Sequence, residues 1–194
     1  MNSHKPQATS HLRKGMGWCC LVIFAGLAAW LYWPGDPAVA TIEKAGGSVQ
    51  VLTAPELRGR IAIALPDSVR DEDLERMTAL DKLQPAWLQL RGRQISGRGL
   101  ESLQRLTCLR GLTLNSTSIS DDDLAGLEAF PELAILNLEG SRISARGLEH
   151  LKGLTSLRCV SLWFTTLTAD AVLQFQAARP DVLVFSEFTE KNDD

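Results

Sequence analysis

Residues 109–130 read LRGLTLNSTSISDDDLAGLEAF, and residues 133–154 read LAILNLEGSRISARGLEHLKGL. Slid by 24 positions, the two phrases superimpose without a gap. The register extends one block either way, giving Trp87–Arg110, Gly111–Ala134, Ile135–Arg158 and Cys159–Val182. The second position reads Leu88, Leu112, Leu136, Val160, and the fourth reads Leu90, Leu114, Leu138, Leu162. The ninth reads Ile95, Ile119, Ile143, Leu167, followed each time by a hydroxyl residue: Ser96, Ser120, Ser144, Thr168. One alternating strand arises by chance, but four registers held over four consecutive blocks do not. A period in this range with an L-x-L core specifies a solenoid with one strand and one helix in each coil.

The residue types fill in the coil. Alternation sends positions two and four of each block inward and leaves positions one, three and five on the concave face. The Ser or Thr at the tenth position is placed to cap the helix that follows. Ser120 with Asp123 approximates a capping box. Leu100, Leu103 and Leu106 then face inward, as do Leu124, Leu127, Phe130 and Leu148, Leu151, Leu154. Each coil puts about six apolar side chains into a shared core, each worth roughly 1.5–3 kcal/mol when fully buried. No coil buries its face alone, so stability belongs to the stack.

The two phrases resemble the leucine-rich repeat family, in the form L-x-x-L-x-L-x-x-T/S-x-I-S/T-x-x-x-L-x-x-L. Two groups are most similar: short bacterial repeat proteins with Thr or Ser in the turn, and the cysteine-containing repeats that accompany F-boxes in ubiquitin-ligase adaptors. The resemblance covers residues 87–182 strongly, and degenerate coils extend it on both sides. It implies an α/β, right-handed solenoid of about five 24-residue coils, and it says almost nothing about the ligand. The ladder Asn of the commonest repeat type is replaced here by Arg93, Thr117, Ser141 and Thr165. Hydroxyls still bond the turn backbone, whereas Arg93 does not do so in the same way. The adaptor reading fails because a hydrophobic segment occupies the place of an F-box.

That segment is Gly15–Trp33, 19 residues without a charge. As a helix its apolar core spans roughly 28 Å, enough for a bilayer's hydrocarbon. Lys5, Arg13 and Lys14 precede it, so the N-terminus is expected in the cytoplasm and the repeats outside. Trp18, Trp30, Tyr32 and Trp33 lie at its two ends, where interfacial aromatics belong. Two readings stand: an uncleaved transmembrane anchor, and a signal peptide cut near Ala40 at the small-x-small pattern Ala38-x-Ala40. Against cleavage, residues 36–47 read as one helix with Asp36 as N-cap, Pro37 at its first position and Gly46 as the stop.

The chain therefore divides into a polar cytoplasmic tail (1–14), the membrane helix (15–33), a linker and N-terminal cap (34–60), the repeat domain (61–186) and a polar C-terminal tail (187–194). The net charge of −3 holds +2 within residues 1–40, which leaves −5 for the rest. That balance argues against a nucleic-acid partner. Cys108 and Cys159 lie more than two coils apart, at least roughly 10 Å, beyond the reach of a disulfide. Asp121-Asp122-Asp123 reads as favourable charge at a helix start rather than a cation site. His150 reads as an exposed helix residue. No nucleophile–base pair, metal-ligand spacing or phosphate loop is present in the sequence, so neither catalysis nor a cofactor is expected. The arginines Arg91, Arg93, Arg98, Arg105 and Arg110 read as a scattered, solvated set.

What remains is the concave face as a surface for a protein or cell-envelope partner. Its candidate contacts are Trp87, Arg91, Asn115, Asn137, Glu139, Trp163 and Phe164. Trp163 and Phe164 stand out, because adjacent aromatics at a rim make good anchors. Two roles are open to them: ligand contact, or sealing the last coil against VLVFSEF (182–188). The competing function is structural, with the repeats packing on a membrane partner and the concave face idle.

Overall fold

The computed structural model describes residues 36–52 and 60–189. Seven strands form one sheet in chain order: β1 Ser48–Val51, β2 Ile61–Ala64, β3 Trp87–Arg91, β4 Gly111–Asn115, β5 Ile135–Asn137, β6 Cys159–Ser161 and β7 Leu183–Phe185. β1 runs antiparallel to β2, and every later pair is parallel. The sequence period has become strand register: Trp87, Gly111, Ile135, Cys159 and Leu183 lie side by side across the sheet. β2 is one residue out of step, with Ala62 beside Trp87. The extra residue is taken up before Ala86, where Gln84 ends its helix with a left-handed φ of +42°. The architecture is mixed α/β, compatible with a leucine-rich-repeat-like fold.

Between strands lie short helices: α2 Asp71–Arg76 and α3 Thr78–Leu83, α4 Gly97–Ser102, a 3-10 helix at Asp122–Ala129, α5 Ala145–Lys152 and α6 Ala169–Ala178, with α1 (Pro37–Lys44) ahead of the sheet. The core sits between strands and helices. Leu88, Leu90, Leu112, Leu114, Leu136, Leu138, Val160 and Leu162 are all at most 1% exposed. Ile95, Ile119, Ile143 and Leu167 close the far side. Leu103 and Leu106 are buried as expected, but they lie beyond the end of α4, in the descending turn.

The turn after each strand follows from one backbone requirement. Its sixth position is left-handed in all four blocks: Gly92 (φ +92°), Ser116 (+55°), Gly140 (+68°) and Phe164 (+56°). The next residue's hydroxyl ties the turn down where there is one. Thr117, Ser141 and Thr165 donate to the carbonyls of Leu114, Leu138 and Leu162. Arg93 has no hydroxyl, and the Ser118 side chain secures that turn instead by donating to the Arg93 carbonyl at 2.8 Å.

The start of the stack is covered. The Asp36 carboxylate accepts from the Ala38 amide at 2.7 Å and starts α1; Ile42 is completely buried and Ala38 nearly so. Gly46 (φ +83°) turns the chain, and β1 pairs with the open side of β2. The segment 15–33 expected to cross a membrane, and most of the expected polar tails, lie outside the described residues. Among the described residues no helix is long and apolar enough to cross a membrane. Glu187–Thr189 are not tail: the Thr189 hydroxyl accepts from the Ser186 amide and closes a turn after β7.

Candidate functional site

The polar groups of the helical flank fix neighbouring coils to one another. Ser96, Ser144 and Thr168 accept from amides in the first turn of α4, α5 and α6. Ser96 and Ser144 are themselves gripped by the coil before them. Asp71 accepts from the Ser96 amide and hydroxyl, and Asp121 accepts from those of Ser144, its amide at 2.8 Å. The receiving coils carry glycine where the carboxylates approach. A Cβ on Gly99 would lie 2.3 Å from Asp71 Oδ1, and one on Gly147 2.5 Å from Asp121 Oδ1.

The middle coil reverses the arrangement. Asp123 accepts from its own Ser120 at 2.8 Å and sits over Gly97 of the preceding coil. It forms half of the expected capping box, at the head of a 3-10 rather than an α-helix. Asp122 pairs with Arg146 at 2.7 Å. All three acids of the run thus have protein partners, and two of them work between coils rather than only on their own helix.

Of the five arginines expected to be solvated, Arg91 and Arg93 stay exposed without an ion pair among the described residues, while the other three pair across coils. Arg98 chelates Glu75, Arg105 pairs with Asp81 and the Leu74 carbonyl, and Arg110 with Arg60 holds Glu132. Arg179 turns its guanidinium onto the carbonyls of Leu151, Lys152, Leu154 and Leu157, which closes the end of α5, while Asp181 holds its other side. The Arg179 hydrogen bond pulls the Asp181 carboxyl down to about 2. Glu132 is lowered as well, first by its bond from Arg110. His150 is half-buried rather than exposed, and its Nε2 has no hydrogen-bond partner among the described residues. Cys159 is buried, Cys108 half-buried, and the two are not bridged.

On the concave face, two of the seven candidate contacts are corrected. Trp87 is only 9% exposed, because its indole lies flat over Gly111, where a Cβ would come within 2.1 Å of the ring. It is a cover on the first columns of the sheet and not a free anchor. Asn137 is 3% exposed, and its Oδ1 accepts from the Glu139 amide at 2.9 Å. Thr113 and Ser161 flank it at the strand spacing of roughly 4.8 Å, so the small side chains of this column shade one another.

Four of the other five share one column, and Phe164 lies beside its end. The fifth position of successive coils reads Arg91, Asn115, Glu139, Trp163 and, one coil further on, Glu187. Arg91 is exposed and directs its guanidinium at the Gln89 side-chain oxygen, 2.7 and 2.8 Å away. The Asn115 amide approaches Glu139 at 3.5 Å, while its Oδ1 meets no donor among the described residues. Trp163 is half-buried, with Phe164 beside it at a ring-centroid distance of 6.3 Å and a tilt of 46°. Phe164 is 72% exposed, and its amide donates to Glu187 Oε1 at 2.6 Å. Glu187 was missed by a reading that ended the repeats at 186, although the same period carried one block past Val182 puts it at position five.

Among the described residues Glu139 and Glu187 enter no ion pair, a state they share with Glu101, Glu128 and Asp170 on the helical flank, whereas Glu72, Glu75, Asp81, Asp122, Glu132, Glu149 and Asp181 are paired. The arrangement offers two aromatic rings, one exposed, and carboxylates with spare acceptor capacity.

No family model matches the sequence, and comparison with curated proteins returns no match. Among solved structures, an internalin from Listeria monocytogenes is similar, with 21% identity and a TM-score of 0.40. The similarity covers 60% of this chain and 38% of the internalin, so the chain spans well under half of that protein's length.

Proposed function

We propose that this chain is a right-handed leucine-rich-repeat solenoid acting as a non-catalytic binding module, held outside the cytoplasm by a membrane helix at residues 15–33. Its partner is a protein or another cell-envelope component, engaged at the C-terminal end of the concave face. The observation that carries this reading is Phe164. Two of the other three turns place glycine at its position, and a left-handed backbone costs a bulky residue roughly 1–2 kcal/mol. A ring 72% exposed recovers little of that cost by packing. Strained backbone and solvent-facing aromatics both gather where proteins bind something else. The uncleaved anchor is supported by α1, since Ala38 and Ile42 are buried on either side of the Ala40–Thr41 bond. Cleavage there would split a folded cap.

One observation favours the structural alternative. Leu183, Leu173 and Phe188, all at the last coil, are 52%, 53% and 38% exposed, as a surface packed on a membrane partner would be. A photo-reactive residue placed in native membranes at position 164, at 173 or at 146 separates the readings. Capture of one identified partner from position 164 and not from 146 is the expected result. Capture from 173 alone transfers the function to the flank and end of the stack.

A further inference from the structure

We infer that the end of the fifth-position column receives a basic side chain of a protein partner, an arginine or lysine laid on the Trp163 ring between the carboxylates of Glu139 and Glu187. The inference rests on the binding-module reading and names its partner's chemistry. Glu139, Trp163 and Glu187 hold the same position on three successive coils, two residues past the paired strands, where the Gly140 amide donates to the Trp163 carbonyl and the Phe164 amide to Glu187. Two carboxylates whose backbones lie roughly 10 Å apart, with an aromatic ring between them, are poorly disposed to chelate a small metal ion. They suit a large cation that stacks on the ring and donates sideways.

The hydrogen-bond inventory agrees. Among the described residues Glu139 receives only the long Asn115 amide contact, and Glu187 only the Phe164 amide. A carboxylate offers about four acceptor sites, so most remain open. Asn115 Oδ1 adds another acceptor without a donor among the described residues. A column of acceptors, two of them anionic, calls for a cation that only donates, and guanidinium and ammonium are the side chains that hold such a charge at neutral pH. Guanidinium is the better fit, because it is planar, weakly hydrated and stacks on indole while forking to carboxylates. Arg91 at the opposite end of the column keeps the site polar in direction: a cation is repelled there and drawn toward Glu139 and Glu187.

The test uses the full chain in lipid nanodiscs and a fluorescein-labelled peptide, Gly-Ser-Arg-Gly-Arg-Ser-Gly, beside the same peptide with citrulline, which is isosteric and neutral. The arginine peptide is expected to bind about tenfold more tightly, with affinity falling as salt rises. Glu139→Gln and Glu187→Gln should each weaken it about threefold to tenfold, and Trp163→Ala should weaken it further. Unchanged melting of Glu139→Gln excludes a folding defect. Equal binding of the two peptides, no binding of the arginine peptide, or unaltered affinity in both Glu→Gln variants would overturn the inference. Much tighter peptide binding by a chain ending at Thr189 would also overturn it, by making the chain's own Lys191 the occupant. If the peptide fails while position 164 still captures a partner, the basic-group inference falls and the binding module stands; if position 164 also captures nothing, both fall.

Discussion

At the N-terminal end of the stack Ile42 is completely buried under α1, and β1 covers the edge of β2. At the other end β7 is followed by a single turn, and Leu183 keeps 52% of its surface. The same solenoid thus finishes its two ends in opposite ways. An open stack exposes apolar surface and unpaired backbone wherever it stops, and a cap of its own removes both. Among the described residues the first end carries such a cap and the last does not; the last also carries the exposed, left-handed Phe164, and Glu187 without an ion pair among those residues. The contrast is one of burial: Ile42 lies under a helix of its own chain, and Leu183 stays half exposed.

The strongest way to break this comparison is to put the same charge at both ends. Ile42→Asp buries an unpaired carboxylate and should cost several kcal/mol, a large share of a small domain's stability, as Leu136→Asp should in mid-stack. Leu183→Asp should change unfolding free energy by under about 0.5 kcal/mol. Equal denaturant midpoints for Ile42→Asp and Leu183→Asp would abolish the distinction.

A smaller effect tests how far the cap's protection reaches. Gly147→Ala forces Asp121 away from Ser144 at the joint between the second and third blocks, and should cost about 1–3 kcal/mol. Hydrogen exchange should rise most in the coils beyond the joint. If the loss is uniform instead, the stack is one cooperative unit.

Phe164→Gly should move stability the other way. Relief of the left-handed strain, less the extra entropy of glycine when unfolded, leaves a gain of about 0.5–1 kcal/mol, while partner capture falls. A drop in melting temperature would mean that Phe164 seals the last coil and does not serve a ligand.

The smallest effect is acid sensitivity at the open end. The Asp181 carboxyl titrates at about 2 when folded against an ordinary 3.8, because Arg179 holds its charged form. Its contribution is therefore complete above the higher value and is lost as pH falls toward the lower. Melting of the parent chain should approach that of Asp181→Asn between about pH 4 and pH 2. Curves that stay parallel through that window would remove the bond from the account.

Much of the scaffold was legible because the period repeats. Leu88, Leu112, Leu136 and Val160 share a register that only side-by-side strands satisfy, and the hydroxyls of Ser96, Ser144 and Thr168 sit where helix starts need acceptors. The site was legible in part. Trp163 and Phe164 were visible as adjacent aromatics at a rim, and Glu139 followed from alternation. Trp87 and Asn137 were read as open surface because alternation reports which side a residue faces, not what lies across it.

By itself, then, the sequence determined the period, the inward and outward faces, the turn hydroxyls and the caps, since each depends on residues close in the chain or one repeat apart. Tertiary structure alone decided which charges are spent and which are left. Asp71 and Asp121 reach into the next coil, Arg179 folds back onto α5, Trp87 lies down on Gly111, and Glu139 and Glu187 end without a cation among the described residues. Those outcomes depend on distances of a few ångströms between coils, which spacing along a chain does not encode.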